Sequence, residues 1–259
     1  MRIKQSVCYP ILKSNEMSFD PLFRSIAGIG CAAIEMWDRG PEFDEVVTAA
    51  KKHGLAVASM CGHGTLPSGL NNRAEHDRIE AELRESIDIA AKHGIPGLIC
   101  FSGNRLPHAN ELEAIDATAD GLRRVAPLAE SKGVNLNLEL LNSKVDHAGY
   151  QCDHTAWGAA VCEKVNSPRV KLLYDIYHMQ IMEGDVIRTI RDNIKWIGHF
   201  HTAGNPGRRD MDDTQELNYA GICKAIAGTG YSLYVGHEFA PKGDPIEALR
   251  KAFALCDQG

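Results

Sequence analysis

Four short apolar runs in the second half of the chain each end on a residue that can bind a metal or move a proton. Asn135-Leu136-Asn137-Leu138-Glu139-Leu140 alternates. As a strand it puts its leucines on one face and Asn137 and Glu139 on the other. Val170–Asp175 closes on Asp175. Trp196–His201 places His199 and His201 on one side at two depths, and Leu233–Glu238 turns Glu238 away from the side of His237. If Glu139, Asp175, His201 and Glu238 meet, three carboxylates and one imidazole share one spot. Three negative charges that close repel and raise one another's pKa unless a cation sits among them. An oxygen-rich set with one imidazole and no thiolate suits a single divalent ion (Mn²⁺, Mg²⁺, Co²⁺ or Zn²⁺) and disfavours a structural zinc site. Any one of these residues alone reads as readily as an ordinary strand end. All four in step on consecutive strands do not.

The elements that must position them repeat along the whole chain. Strands are expected at Ile3–Tyr9, Ala32–Trp37, Leu55–Cys61, Gly97–Phe101, Asn135–Leu141, Val170–Asp175, Trp196–His201 and Ser232–Glu238. Helical patterns lie between them, one opening near Ser18-Phe19-Asp20-Pro21. Another is marked by Ile79, Leu83, Ile87 and Ala90, and a third runs through Leu112, Ile115, Leu122, Val125 and Leu128. Gly54, Gly94 and Gly133 recur 40 and 39 residues apart, each behind a basic last turn. That is a helix C-terminal cap with dipole compensation, and it assigns His53 and His93 to caps rather than to ligands. Strands alternating with helices imply a parallel sheet, and eight units imply a single (β/α)8 TIM barrel spanning 1–259. At 259 residues the chain is close to the roughly 250 typical of that fold. No glycine-rich dinucleotide loop follows the first strand, which weighs against a doubly wound sheet. In such a barrel, chemistry belongs at the carboxyl ends of the strands, where the four residues fall.

Composition narrows the class. The 44% hydrophobic and 24% charged residues describe an ordinary globular chain, and a net charge of −6 argues against nucleic acid as the partner. No stretch approaches membrane-spanning length, and the first residues lack a signal-peptide apolar block. Eight scattered cysteines without a CxxC pair read as reduced core thiols of a cytoplasmic protein.

Further polar residues fall at the same barrel end. His178 follows Asp175 by three residues and faces the mouth. His63, in Gly62-His63-Gly64 after the third strand, is placed to line the pocket or add a ligand, with a loop role as the alternative. Arg208 lies in the 204–216 loop beside Arg209, Asp210, Asp212 and Asp213, which reads either as a solvated charge cluster or as an anion-binding lid. Glu35 and Trp37 end the second strand as an apolar pocket wall, with a core role competing for Trp37. His199 is expected one layer below the metal.

As a set, Leu138-Glu139-Leu140-Leu141-Asn142, Asp175-Ile176-Tyr177-His178-Met179-Gln180, His201 and Gly236-His237-Glu238-Phe239 resemble the xylose-isomerase-like barrel superfamily. Asn205-Pro206-Gly207-Arg208 and Glu216-Leu217-Asn218-Tyr219 are similar to segments of its hydroxypyruvate isomerases. The resemblance implies a metal-dependent isomerase acting on a small sugar or 2-oxo acid through an enediolate. It makes Glu139, Asp175, His201 and Glu238 the ligands, and Glu139 and Glu238 also the proton-transfer pair, with either as the base. His178 and Arg208 would contact substrate oxygens. Hydroxypyruvate isomerases often carry Gln at the position of His201, whereas ketose 3-epimerases and inosose isomerases carry His. The second acidic contact of the 3-epimerases, six residues after the first ligand, is Val145 here. Ketose 3-epimerase and keto-sugar isomerase or lyase chemistries therefore remain open. An endonuclease IV-like phosphodiesterase is disfavoured by the acidic charge and by a post-strand-seven loop without His, and a non-catalytic barrel is the other class. A homo-oligomer is compatible with all of these.

Overall fold

The computed structural model describes residues 2–14 and 17–258. Its strands are β1 Lys4–Cys8, β2 Ala33–Glu35, β3 Ala56–Cys61, β4 Gly97–Cys100, β5 Asn135–Glu139, β6 Val170–Asp175, β7 Ile197–Thr202 and β8 Tyr234–His237. Each pairs in parallel with the next, and β1 pairs with β8 from Lys4↔Tyr234 to Val7↔His237, closing the barrel in chain order. Parallel neighbours require crossovers, supplied by α1 Phe19–Ile29, α2 Phe43–Lys52, α3 His76–His93, α4 Glu111–Arg123, α5 Ala126–Lys132, α6 Thr155–Val165, α7 Ile176–Met182, α8 Val186–Asn193, α9 Tyr219–Gly228 and α10 Pro245–Cys256. The chain is an eight-stranded β/α barrel, as its alternation predicts. Among the described residues no helix is long and apolar enough to cross a membrane.

The apolar core lies between barrel and helices. Leu22, Phe23 and Ile26 of α1, Leu83 and Ile87 of α3 and Leu249 of α10 are buried against outward-facing Val7, Leu98, Leu136 and Leu138. Each such side chain contributes about 1.5–3 kcal/mol on leaving water. The barrel interior is polar instead. Asn137 fills the space that β4 and β7 leave by carrying glycine: a Cβ at Gly97 would meet Asn137 Nδ2 at 2.4 Å, and one at Gly198 would meet Asn137 Oδ1 at 2.2 Å.

Helix ends follow the expected chemistry. Gly54, Gly94 and Gly133 have φ of +73°, +72° and +72°. His53 caps α2 and lies 3.0 Å from Asp20 Oδ1, and His93 packs edge-on against Phe43. The helix expected across 112–128 is instead two. Pro127 lacks the N–H that a continuous helix needs, so α4 ends at Arg123 and Pro127 sits in the first turn of α5. Leu112, expected on the apolar stripe, is 74% exposed. Ala114, Ala117, Thr118, Gly121 and Leu122 make the buried face of α4. Strand two stops at Glu35 and strand five at Glu139, each before its expected end, and strand eight is trimmed at both ends to Tyr234–His237.

Candidate metal centre

Register brings the four strand-end residues together. Glu139 pairs beside Leu173 at the end of β5, Asp175 pairs with His201, and His201 pairs with Gly236, two residues before Glu238. Ligand atoms of Glu139, Asp175, His201 and Glu238 all lie within 4.8 Å of one another, and all four side chains are buried. His201 Nδ1 is 3.2 Å from Glu238 Oε2, 3.6 Å from Glu139 Oε1 and 4.0 Å from Asp175 Oδ2. It has no partner of hydrogen-bonding geometry. A buried imidazole nitrogen without a partner, ringed by three carboxylates, is the donor chemistry that a hard divalent cation fits.

The electrostatics show the same need for positive charge. Burial, with the charges of Glu238 and Asp175, pushes the Glu139 carboxyl above its ordinary pKa, and burial does the same to Asp175. Burial opposes the charged form of His201, yet Glu238 and Glu35 hold its pKa well above the usual imidazole value. Glu238 goes the other way. Against the cost of burial, His201, Arg208 and Trp37 keep it ionised below the usual range. Trp37 Nε1 donates to Glu238 Oε1 at 2.7 Å, and Arg208 Nη2 donates to Oε2 at 2.5 Å. Trp37, 43% exposed, therefore belongs to the mouth and not to the core.

His178 reaches the site from the first turn of α7, whose N-terminus is capped by Asp175 accepting from His178 N–H at 3.0 Å. Its tautomer can be read from Asn142. Oδ1 of Asn142 accepts the backbone N–H groups of Val145 and Asp146, both at 2.9 Å, so Nδ2 must be the atom facing His178 Nδ1 at 2.6 Å. Nδ1 is the acceptor, and Nε2 carries the proton. That Nε2 is buried, partnerless and 3.8 Å from Asp175 Oδ2, a donor held ready at the site. Burial and the nearby Arg208 hold the ring neutral, well below the usual imidazole pKa. Val145 is exposed, and its neighbour Asp146 instead accepts from Asn142 and from Tyr177 Oη at 2.8 Å.

Contacts choose among the readings of His63 and correct that of Glu35. His63 donates from Nδ1 to Gly64 O at 3.1 Å and accepts the Phe101 N–H at Nε2 at 2.9 Å. With both nitrogens bonded to backbone it ties the β3 and β4 loops together, the loop role, and neither nitrogen is free to bind a metal. It lines, with Trp37, Cys61 and Phe101, a cavity of about 520 Å³ beside the mouth. Glu35 is not an apolar wall. It is 1% exposed, inside the barrel beneath His201. The loop after β7 divides its charges: Arg208 turns inward to Glu238, while Asp212 pairs with Lys242 at 2.8 Å in solvent. Sequence reasoning missed Asn142 and the indole donor of Trp37. The carboxylate of Glu35 between Ile34 and Met36 was a visible signal, since a charge inside an apolar strand needs partners.

Similarity to known proteins agrees with this geometry. The family described as xylose isomerase-like TIM barrel matches residues 23–258. The chain is 34% identical over 241 residues to the 2-oxo-tetronate isomerase of Cupriavidus necator, covering 91% of this chain and 92% of that one. It is 31% identical over 176 residues to the hydroxypyruvate isomerase of Escherichia coli, covering 66% and 67%. The crystal structure of the 3-keto-D-glucoside 4-epimerase YcjR of E. coli has the same fold, with a TM-score of 0.81 at 22% identity over 98% of each chain. The chain belongs to the xylose isomerase-like TIM barrel family.

Proposed function

We propose that this isomerase moves a proton between the carbonyl carbon and the adjacent hydroxyl-bearing carbon of a short 2-oxo sugar acid or ketose, the hydroxyl proton passing between their two oxygens, with Glu139 and Glu238 as the carbon proton-transfer pair. The observation that carries the reading is the convergence of these two carboxylates with Asp175 and the partnerless Nδ1 of His201 in one buried cluster. Glu139, Asp175, His201 and Glu238 would hold one divalent ion, Mn²⁺, Mg²⁺, Co²⁺ or Zn²⁺. Such an ion, when bound, supplies a Lewis acid that stabilises negative charge on the substrate's carbonyl and neighbouring hydroxyl oxygens.

The protein's own groups do the rest. The two glutamates sit in environments that push their proton affinities apart, the arrangement by which one carboxylate can give a proton while the other takes one. Positioned transfer of this kind contributes about 10²–10⁴-fold. His178, neutral with its proton on Nε2, donates to a substrate oxygen. Arg208 recognises a carboxylate or hydroxyl end of the substrate and, between turnovers, neutralises Glu238. The cavity beside Trp37 receives the part of the substrate beyond the reacting carbons. Asp38, Glu82 and Glu85 outnumber Arg39 in its lining, which favours a hydroxylated tail over a phosphate. The 2-oxo-tetronate isomerase relationship supports a 2-oxo acid of this size. The test is a panel of 2-oxo sugar acids and ketoses, with and without a terminal phosphate, incubated in D₂O with metal-loaded protein and followed by NMR. Deuterium entering the carbon next to the carbonyl of an unphosphorylated substrate is expected. Exchange only with phosphorylated substrates would overturn the substrate class, and exchange with none would overturn the reaction.

A further inference from the structure

Beneath the four-residue cluster lies a second buried arrangement that the proton-transfer pair does not use. Glu35 Oε2 accepts from His199 Nε2 at 2.9 Å and from His201 Nε2 at 3.1 Å, and its Oε1 accepts from Ser6 Oγ at 2.5 Å. The four side chains come from β1, β2 and β7, and each is at most 3% exposed. Strand β8, which lies between β7 and β1, makes room for them. A Cβ at Gly236 would stand 2.0 Å from Glu35 Oε1 and 3.1 Å from His201 Cδ2. Ionising a carboxylate inside a barrel is costly, and a well-packed apolar side chain serves stability at least as well. A carboxylate kept there, with three donors arranged around it and a glycine cleared for it, has a task other than packing.

We infer that Glu35 is a positioning residue that fixes the orientation of His201, fastening Nε2–H so that the Nδ1 lone pair is presented to a metal held with Glu139, Asp175 and Glu238. The inference rests on the metal-binding reading above. His201 has two nitrogens and two carboxylate surroundings, one below and one above. Without Glu35 the ring could rotate or carry its proton on Nδ1, and either change removes a ligand. His199 holds the other side of the same oxygen, so Glu35 itself cannot swing toward the ion. Cys8, Glu35 and His201 also bring ligand atoms within 4.8 Å of one another. Because both oxygens of Glu35 are already engaged by three donors, that trio is the support of the site and not a second one.

The test compares Glu35→Gln, which keeps an acceptor oxygen, with Glu35→Met, which has similar volume and none. Affinity for Mn²⁺ and Zn²⁺ is measured by competition with a chromophoric chelator. Glu35→Met is expected to weaken binding roughly 10–100-fold, and Glu35→Gln to recover most of that loss. A mere packing role predicts Met at least as good as Gln, and that result would overturn the inference. Should the Met variant not fold, heteronuclear NMR of the histidine side chains in Cd²⁺-loaded wild type decides. Cadmium coupled to Nδ1 of His201, with a protonated Nε2, is expected, the signal being assigned by its loss in His201→Gln. Coupling to Nε2 would place the ion in the Cys8–Glu35–His201 trio and contradict the inference while leaving metal dependence intact. A wild type that binds neither ion overturns the metal reading and this inference together.

Discussion

The indole N–H of Trp37 donates to Oε1 of Glu238 across 2.7 Å, joining the loop after the second strand to the residue after the eighth. A hydrogen bond to a charged group is worth about 1.5–3 kcal/mol, which in a transition state is about 10–100-fold in rate. Trp37→Phe keeps most of the ring and removes the donor. We expect kcat/KM for proton exchange to fall within that range while the Tm moves by only a few degrees. An unchanged rate would mean that the indole merely covers the carboxylate.

His178 and the glutamates are predicted to differ in kind. His178 supplies one hydrogen bond, so His178→Asn should slow exchange about 10–100-fold and leave it measurable. Glu139→Gln and Glu238→Gln remove the groups proposed to carry the proton and should lower exchange by far more. Asn142→Leu should mimic His178→Asn, since Asn142 Nδ2 sets the tautomer of that ring. Wild-type exchange in Asn142→Leu would contradict the tautomer assignment.

The barrel and the strand-end cluster were legible because both depend on short-range pattern. Alternation within Asn135–Glu139 fixes which way Glu139 points, and parallel register then aligns it with Asp175 and His201. The role of Glu35 was not legible for the opposite reason. Its imidazole partners are 164 and 166 residues away, and only barrel closure brings them to it. The roles of His63 stayed open because a histidine after a barrel strand has the right place for a ligand, while the backbone groups that occupy its nitrogens leave no mark in the sequence. The break before Pro127 was visible, but the apolar spacing on both sides of it imitates one continuous helix.

Stability should depend on His63 in weakly acidic solution. Burial lowers its pKa from 6.5 to about 4, and accepting the Phe101 N–H requires the neutral ring. The unfolded chain takes up the proton near pH 6.5, whereas the folded one does not until near pH 4. Its contribution is therefore complete above pH 6.5, falls as pH decreases, and is lost by about pH 4, some 3 kcal/mol in all. Denaturant unfolding across this window should show a shallower fall in His63→Gln than in wild type. Parallel slopes would contradict the assignment.

Metal binding should strengthen as pH rises. His201, Glu139 and Asp175 all have raised pKa values, so each tends to hold a proton that an incoming cation must displace. Titration calorimetry with Zn²⁺ in buffers of different ionisation enthalpy should report net proton release. Chelation should then abolish exchange, and re-addition of the ion should restore it. Proton uptake on binding would be inconsistent with these ligands.

The most direct test of the central claim is deuterium exchange in D₂O with metal-loaded wild type, Glu139→Gln and Glu238→Gln side by side on one active 2-oxo sugar acid or ketose. The predicted result is rapid label incorporation next to the carbonyl by wild type and loss of turnover in both variants with their folds intact. Wild-type rates in either variant would show that the two converging carboxylates are not the proton-transfer pair.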